Sequence, residues 1–162
     1  GAWSTRLLAG TTSARIPLDT ERGYNTTLPK SAFDLKRQLI FSGHGFVITP
    51  LENGLRVGGA VEFAGLDAAP NFARSKIMLD KASNFLPGLD ASGGVEWMGF
   101  RPSLPDSLPV LSPLPERNDI LLAFGNGHLG LTQSAAMGRV VTDLVSEKKP
   151  SIDLAPFRAD RF

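Results

Sequence analysis

The chain has 162 residues, enough for one domain or a domain with a small annex, and could bury about 70% of its unfolded surface. Seventeen Lys and Arg offset sixteen Asp and Glu, and no basic tract stands out, which argues against a nucleic-acid surface. No cysteine is present, so disulfides and thiolate chemistry are excluded, and no apolar run approaches the roughly 20 residues that span a bilayer.

The first residues, Gly1-Ala2-Trp3-Ser4, show neither an initiator methionine nor a signal-peptide pattern, as expected of a chain that starts inside a longer protein or carries an added residue. Ser4 can cap a short helical turn through Leu7 and Leu8 that Gly10 ends. Residues 14–18 lead into a strand over 21–28 that stops at Pro29. Two more strands are expected at 38–41 and 45–49, separated by Ser42-Gly43-His44. Asn53-Gly54 signals a hairpin joining 46–50 to 55–63. The Gly58-Gly59 pair inside that last run predicts a bulge or a close backbone approach.

Pro70 opens a helix carrying Met78, Leu79, Ala82, Phe85 and Leu86, which Pro87-Gly88 closes. The strand at 95–102 follows. Five prolines from Pro102 to Pro115 then predict an extended segment outside any sheet interior, lying along a surface or wall. The apolar run Ile120-Leu121-Leu122-Ala123-Phe124 precedes a glycine turn, Gly125-Asn126-Gly127-His128-Leu129-Gly130. A helix comes next, with Met137, Val140, Val141, Leu144 and Val145 marking one buried face and Thr132 or Ser134 as its cap. The tail, 153–162, is expected to be extended. The element order predicts an α+β fold: a mainly antiparallel sheet with a helix across it, then a strand–loop–helix unit.

The turn spells G-x-G-x-x-G. A dinucleotide fingerprint needs a second strand after the helix that ends in an acidic residue, and here the helix runs into Glu147-Lys148-Lys149-Pro150. Two readings stand: glycines that let strand and helix pack closely, or a loop whose amides face an electron-rich ligand atom. His44 and His128 lack metal-ligand spacing, and no G-x-S-x-G elbow exists. His128 is either solvated or a donor to a ligand. Tyr24, the only tyrosine, reads as a packed strand residue with a satisfied hydroxyl. Arg101, between aromatics and before Pro102, is either a fork set to take a carboxylate or a structural arginine, at the surface or paired with Asp106.

Several motifs carry a family resemblance. Trp97-Met98-Gly99-Phe100-Arg101-Pro102-Ser103-Leu104-Pro105-Asp106-Ser107-Leu108-Pro109 resembles the G-x-R-P-x-x-P-D-x-x-P segment of FAD-dependent D-amino-acid dehydrogenases, within the glycine oxidase and D-amino-acid oxidase superfamily. The turn from Gly125 to Thr132 is similar to their G-H-G-H-x-G-x-T loop, with Asn126 at a frequent histidine in a slot expected to face solvent. Pro17-Leu18-Asp19-Thr20-Glu21-Arg22-Gly23-Tyr24 resembles P-x-x-x-E-R-G-Y, and Asp153 to Phe162 resembles the family's C-terminus.

The resemblance implies oxidation of a D-amino acid to a 2-oxo acid and ammonia, with hydride passing to FAD. It implies Arg101 and Tyr24 at the substrate, and Gly125, Asn126, Gly127, His128, Leu129, Gly130, Leu131 and Thr132 at the flavin. The helix start would favour negative charge on the reduced ring. No residue is assigned as a general base, which a substrate arriving as the neutral amine would not need. It further implies a substrate-binding domain over 21–112, the end of an FAD-binding domain over 1–20, and its last strand, loop, helix and tail over 113–162. The strand–G-x-G-x-x-G–helix that starts the family is not among these 162 residues. The 162 residues alone are therefore expected to hold no stoichiometric FAD and to be inactive, with an N-terminal FAD-binding half as the partner they need. The electron acceptor is unassigned. The implied location is cytoplasmic, with peripheral attachment to the inner membrane as an alternative. A non-catalytic module that binds an anion or nucleotide is the rival reading.

Overall fold

The computed structural model describes all residues, Gly1–Phe162. In chain order it holds α1 (Ser4–Leu8), β1 (Asp19–Leu28), β2 (Leu39–Phe41), β3 (Phe46–Leu51), β4 (Gly54–Phe63), α2 (Ala73–Phe85), β5 (Val95–Ser103), β6 (Val110–Leu114), β7 (Arg117–Phe124) and α3 (Gly130–Val145). Five strands form one sheet in the order β2-β3-β4-β1-β5, and β6 pairs with β7 as a separate ribbon. The strands β2, β3 and β4 pair antiparallel, as do β6 and β7. The expected α+β class, with its mainly antiparallel sheet and covering helix, is the architecture observed. No helix is long and apolar enough to cross a membrane.

The chain divides into two compact units, Arg22–Phe100 and Gly1–Glu21 with Arg101–Phe162. In the first, alternate residues of the strands (Tyr24, Phe46, Ile48, Leu55, Val57) meet Met78 and Ala82 of α2 and Leu86 just after it in a common core. The β3–β4 connection is a hairpin, but its turn residues are Glu52 and Asn53, because Leu51 already pairs with Gly54. Gly54 is needed for another reason: a Cβ there would stand 2.1 Å from the Leu28 carbonyl oxygen. Gly59 shows the expected close approach, since its Cβ would lie 2.4 Å from the Gly45 oxygen and 2.6 Å from the Phe46 Cα.

In the second unit, Leu104, Val110, Leu114, Leu122, Phe124 and Ala159 form a core that also takes Leu8, Ile16 and Leu18. This corrects the reading of the proline segment. Leu104-Pro105-Asp106-Ser107 closes a tight turn, with the Ser107 amide donating to the Leu104 carbonyl at 2.9 Å. The next residues enter β6, where Val110 and Leu114 are fully buried. A two-stranded ribbon has no interior strand, and Pro113 sits at its register shift, where a missing N–H is tolerated. The tail is likewise not extended: Ala155–Phe157 is a short helical turn, and Ala159 is buried with its amide on Ser112 Oγ at 3.1 Å. Nor is α1 capped by Ser4, whose Oγ instead accepts from the Gly1 amino group at 2.8 Å.

Candidate functional site

The turn after β7 is built by two left-handed glycines, Gly125 (φ +87) and Gly127 (φ +51). A Cβ on Gly125 would come within 2.5 Å of Leu104 Cδ1, just past the end of β5, so the turn lies close against that side chain, and its φ favours glycine. The Gly127 amide donates to the Pro102 carbonyl at 2.7 Å, fixing the turn to the residue after Arg101. Helix α3 then starts at Gly130 with no side-chain cap. The expected caps fail: Ser134 Oγ donates back to the Leu131 carbonyl at 2.7 Å, and Thr132 is already inside the helix. The first amides of α3 thus have no side-chain acceptor.

Asn126 faces the helix and not solvent, its Nδ2 donating to Gln133 Oε1 at 2.7 Å, with Met137 Sδ beside it. His128 Nδ1 lies 3.3 Å from Glu21 Oε2, which also accepts from Ser103 Oγ at 2.9 Å. Glu21, Ser103, Leu104, Ser107 and residues 125–129 line a cavity of about 160 Å³. Leu129 and Leu131 at the helix start are exposed, and of the expected apolar face of α3 only Val140 is buried.

Arg101 lies on β5 two residues before Ser103, so strand alternation sets both on one face. Its Nη1 is buried and has no hydrogen-bond partner. Burial lowers its pKa from the ordinary arginine value, and the opposing influence is the charge of Glu21. Asp106, its alternative partner, is held by Arg161 through Nε at 2.7 Å and Nη2 at 3.2 Å. The internal pairing considered from the sequence is therefore not the one made.

Tyr24 sits in the core of the unit Arg22–Phe100. Its hydroxyl donates to Glu62 and accepts from the Asn71 amide at 3.1 Å, so both sides are used within that unit. Beside it the buried Arg22 donates to the carbonyls of Gly65, Ala69 and Ala68 at 2.7, 3.2 and 2.8 Å, closing the 65–69 loop. The sequence reading passed over Arg22, Glu21 and Ser103. The first two were present in the E-R-G-Y motif, but nothing in a strand pattern tells a loop-closing arginine from a solvated one.

A D-amino-acid oxidase from Bradyrhizobium diazoefficiens is 41% identical over the whole chain, which covers 39% of that protein. A D-amino acid dehydrogenase from Paramagnetospirillum magneticum is 37% identical over 96% of the chain and 37% of its own length. The chain thus spans about two fifths of the curated relatives it matches. Glycine oxidase from Geobacillus kaustophilus superposes with a TM-score of 0.83 at 26% identity, over all of this chain and 44% of that one. The pattern of one family, described as FAD dependent oxidoreductase, matches residues 1–144, and the chain belongs to that family.

Proposed function

We propose that the chain is the substrate-binding and flavin-contacting part of an enzyme that oxidises D-amino acids to 2-oxo acids and ammonia. The observation that carries this reading is Arg101, whose buried Nη1 has no acceptor within the protein while Asp106 is taken by Arg161. An unpartnered buried donor costs about 1–3 kcal/mol, and a guanidinium fork is the shape that a substrate carboxylate satisfies. The names of the two relatives, oxidase and dehydrogenase of D-amino acids, support the substrate class. The unit Arg22–Phe100 is, in this reading, the body of the substrate-binding domain.

The residues present fit FAD at the turn. Gly125 and Gly127 hold the backbone in a form that side chains disfavour, and α3 begins with amides free of any side-chain cap. Residues 125–132 would hold the ring, and FAD when bound supplies the hydride acceptor. The amides at the start of α3 present partial positive charge there. Arg101 fixes the substrate carboxylate and so orients Cα. Tyr24 supports the fold of the substrate domain, since its hydroxyl already serves Glu62 and Asn71.

Steady-state kinetics of the full-length protein test this. Arg101→Ala should lower kcat/KM on D-amino acids by about two to four powers of ten, with Arg101→Lys between it and the wild type. Flavin absorbance should survive both changes, and an amino-acid amide, which has no carboxylate, should be affected much less. Normal kcat/KM in Arg101→Ala would make the arginine structural. A full-length protein without flavin absorbance would favour the binding-module reading.

A further inference from the structure

We infer that Glu21 receives the α-ammonium group of the substrate on binding, so that Arg101 and Glu21 together read the arriving amino acid as a zwitterion; the ammonium then gives its proton to water, and the neutral amine is the form that is oxidised. The inference rests on the carboxylate reading of Arg101. Glu21 is the charge that Arg101 feels, yet the two form no direct ion pair. Each is left with capacity that the protein does not use. Arg101 Nη1 has no partner, and only one oxygen of Glu21, Oε2, is engaged, by Ser103 Oγ at 2.9 Å and by His128 Nδ1 at 3.3 Å.

Glu21 stands on β1 and Arg101 on its neighbour in the sheet, β5. Here the Glu21 carboxylate is turned toward the glycine turn by its two neighbours. Ser103 lies on the same face of β5 as Arg101, and His128 is part of the turn itself. Glu21 lines the small cavity beneath that turn and keeps about a quarter of its side chain accessible. An amino acid presents its own opposite charges on adjacent atoms of a single Cα. A separated arginine and glutamate on neighbouring strands form the complementary pair. A ligand with a carboxylate and no amine satisfies the arginine and leaves Glu21 unmatched, so the arrangement discriminates between amino acids and plain carboxylic acids.

The test compares two ligands on the FAD-loaded full-length protein: the D-amino acid substrate, read by KM and kcat, and propionate as an amine-free competitor, read by its inhibition constant. Glu21→Gln keeps the shape and the acceptor for Ser103 but removes the charge. It should raise KM for the amino acid about 10- to 100-fold while leaving propionate inhibition unchanged or tighter, with flavin content intact. Glu21→Asp, which keeps the charge on a shorter arm, should fall between. An equal weakening of both ligands, no change in either, or loss of flavin in Glu21→Gln would overturn the assignment. Arg101→Lys is read in parallel, and should weaken propionate as well as substrate. If it weakens neither, the carboxylate reading has failed, and the role of Glu21 toward the ammonium fails with it.

Discussion

Arg161 grips Asp106 with both arms of its fork, Nε to Oδ2 at 2.7 Å and Nη2 to Oδ1 at 3.2 Å, across 55 positions of sequence. The same Nη2 reaches the Leu108 carbonyl at 2.7 Å, so a tail residue pins the turn that follows β5. Asp106 is the aspartate that Arg101 would otherwise have found in its own segment, and its capture leaves that guanidinium for something else.

The Asp106–Arg161 pair should show in the acid limb of stability. The hydrogen bonds from Arg161 are the main cause holding the Asp106 carboxyl below its usual range. A depressed pKa gives stability that is full above the unfolded value, about 3.9, and lost as pH falls through the folded value. Asp106→Asn should therefore be less stable than wild type by about 1 kcal/mol at pH 7, a modest figure because a third of Asp106 meets water. The gap should close as pH falls below the depressed folded value. Urea unfolding of both proteins at several pH values checks it, and a gap that persists in acid would deny the pair its role.

Removing the buried Arg22 should be among the costliest changes in the unit Arg22–Phe100. Arg22→Met would leave three loop carbonyls without donors and deprive Glu62 of a nearby cation 3.7 Å away, for a loss of about 3–5 kcal/mol. The 65–69 loop should become the first site of proteolysis. A loss below about 1 kcal/mol, measured by thermal or urea unfolding, would contradict this account.

Two glycines should respond with opposite signs. Gly59→Ala drives a Cβ into the backbone of Gly45 and Phe46 and should cost more than about 2 kcal/mol. Gly138 lies within α3 with open space around it, so Gly138→Ala should stabilise by about 0.5–1 kcal/mol. Paired melting curves read both effects.

Gly125→Ala should act on the cofactor more than on the fold. The φ of +87 is disfavoured for alanine and the added carbon meets the end of the Leu104 side chain, so the turn is strained where it stands. Flavin content of the purified full-length variant should fall well below that of wild type while its circular dichroism stays native. Full flavin loading would separate the turn from the cofactor.

The parts of this fold that could be read from sequence were those set by local rules. Alternation in β1 and β3, the glycine pair in β4 and the helix after Pro70 each follow from residues close in the chain. The misread parts depend on distant partners. Nothing near Pro113 announces that Leu121 will pair with it, and nothing near Arg161 announces Asp106. The helix α3 was read as burying a whole apolar face, yet only Val140 is fully buried while Met137, Val141 and Leu144 are half-buried and Val145 is exposed, because periodicity reports which face is apolar and not what lies against it. At the site, Arg101 and the glycine turn stood out by composition. Glu21 did not, since its meaning comes from Ser103 and His128, both far along the chain.

The unit Arg22–Phe100 is one continuous stretch, whereas the other unit is assembled from segments on either side of it. That nesting imposes an order on a ribosome. The inner stretch can complete its contacts as it emerges, while Leu8, Ile16 and Leu18 wait for core partners made last. Thr12 must meet Glu116, 104 positions away. An inner unit that has already folded draws the two ends of that span together, and each halving of the effective loop recovers about 0.6 kcal/mol of closure entropy. Lesions in the inner unit, such as those at Gly59 or Arg22, should then delay the closing of a unit they do not belong to.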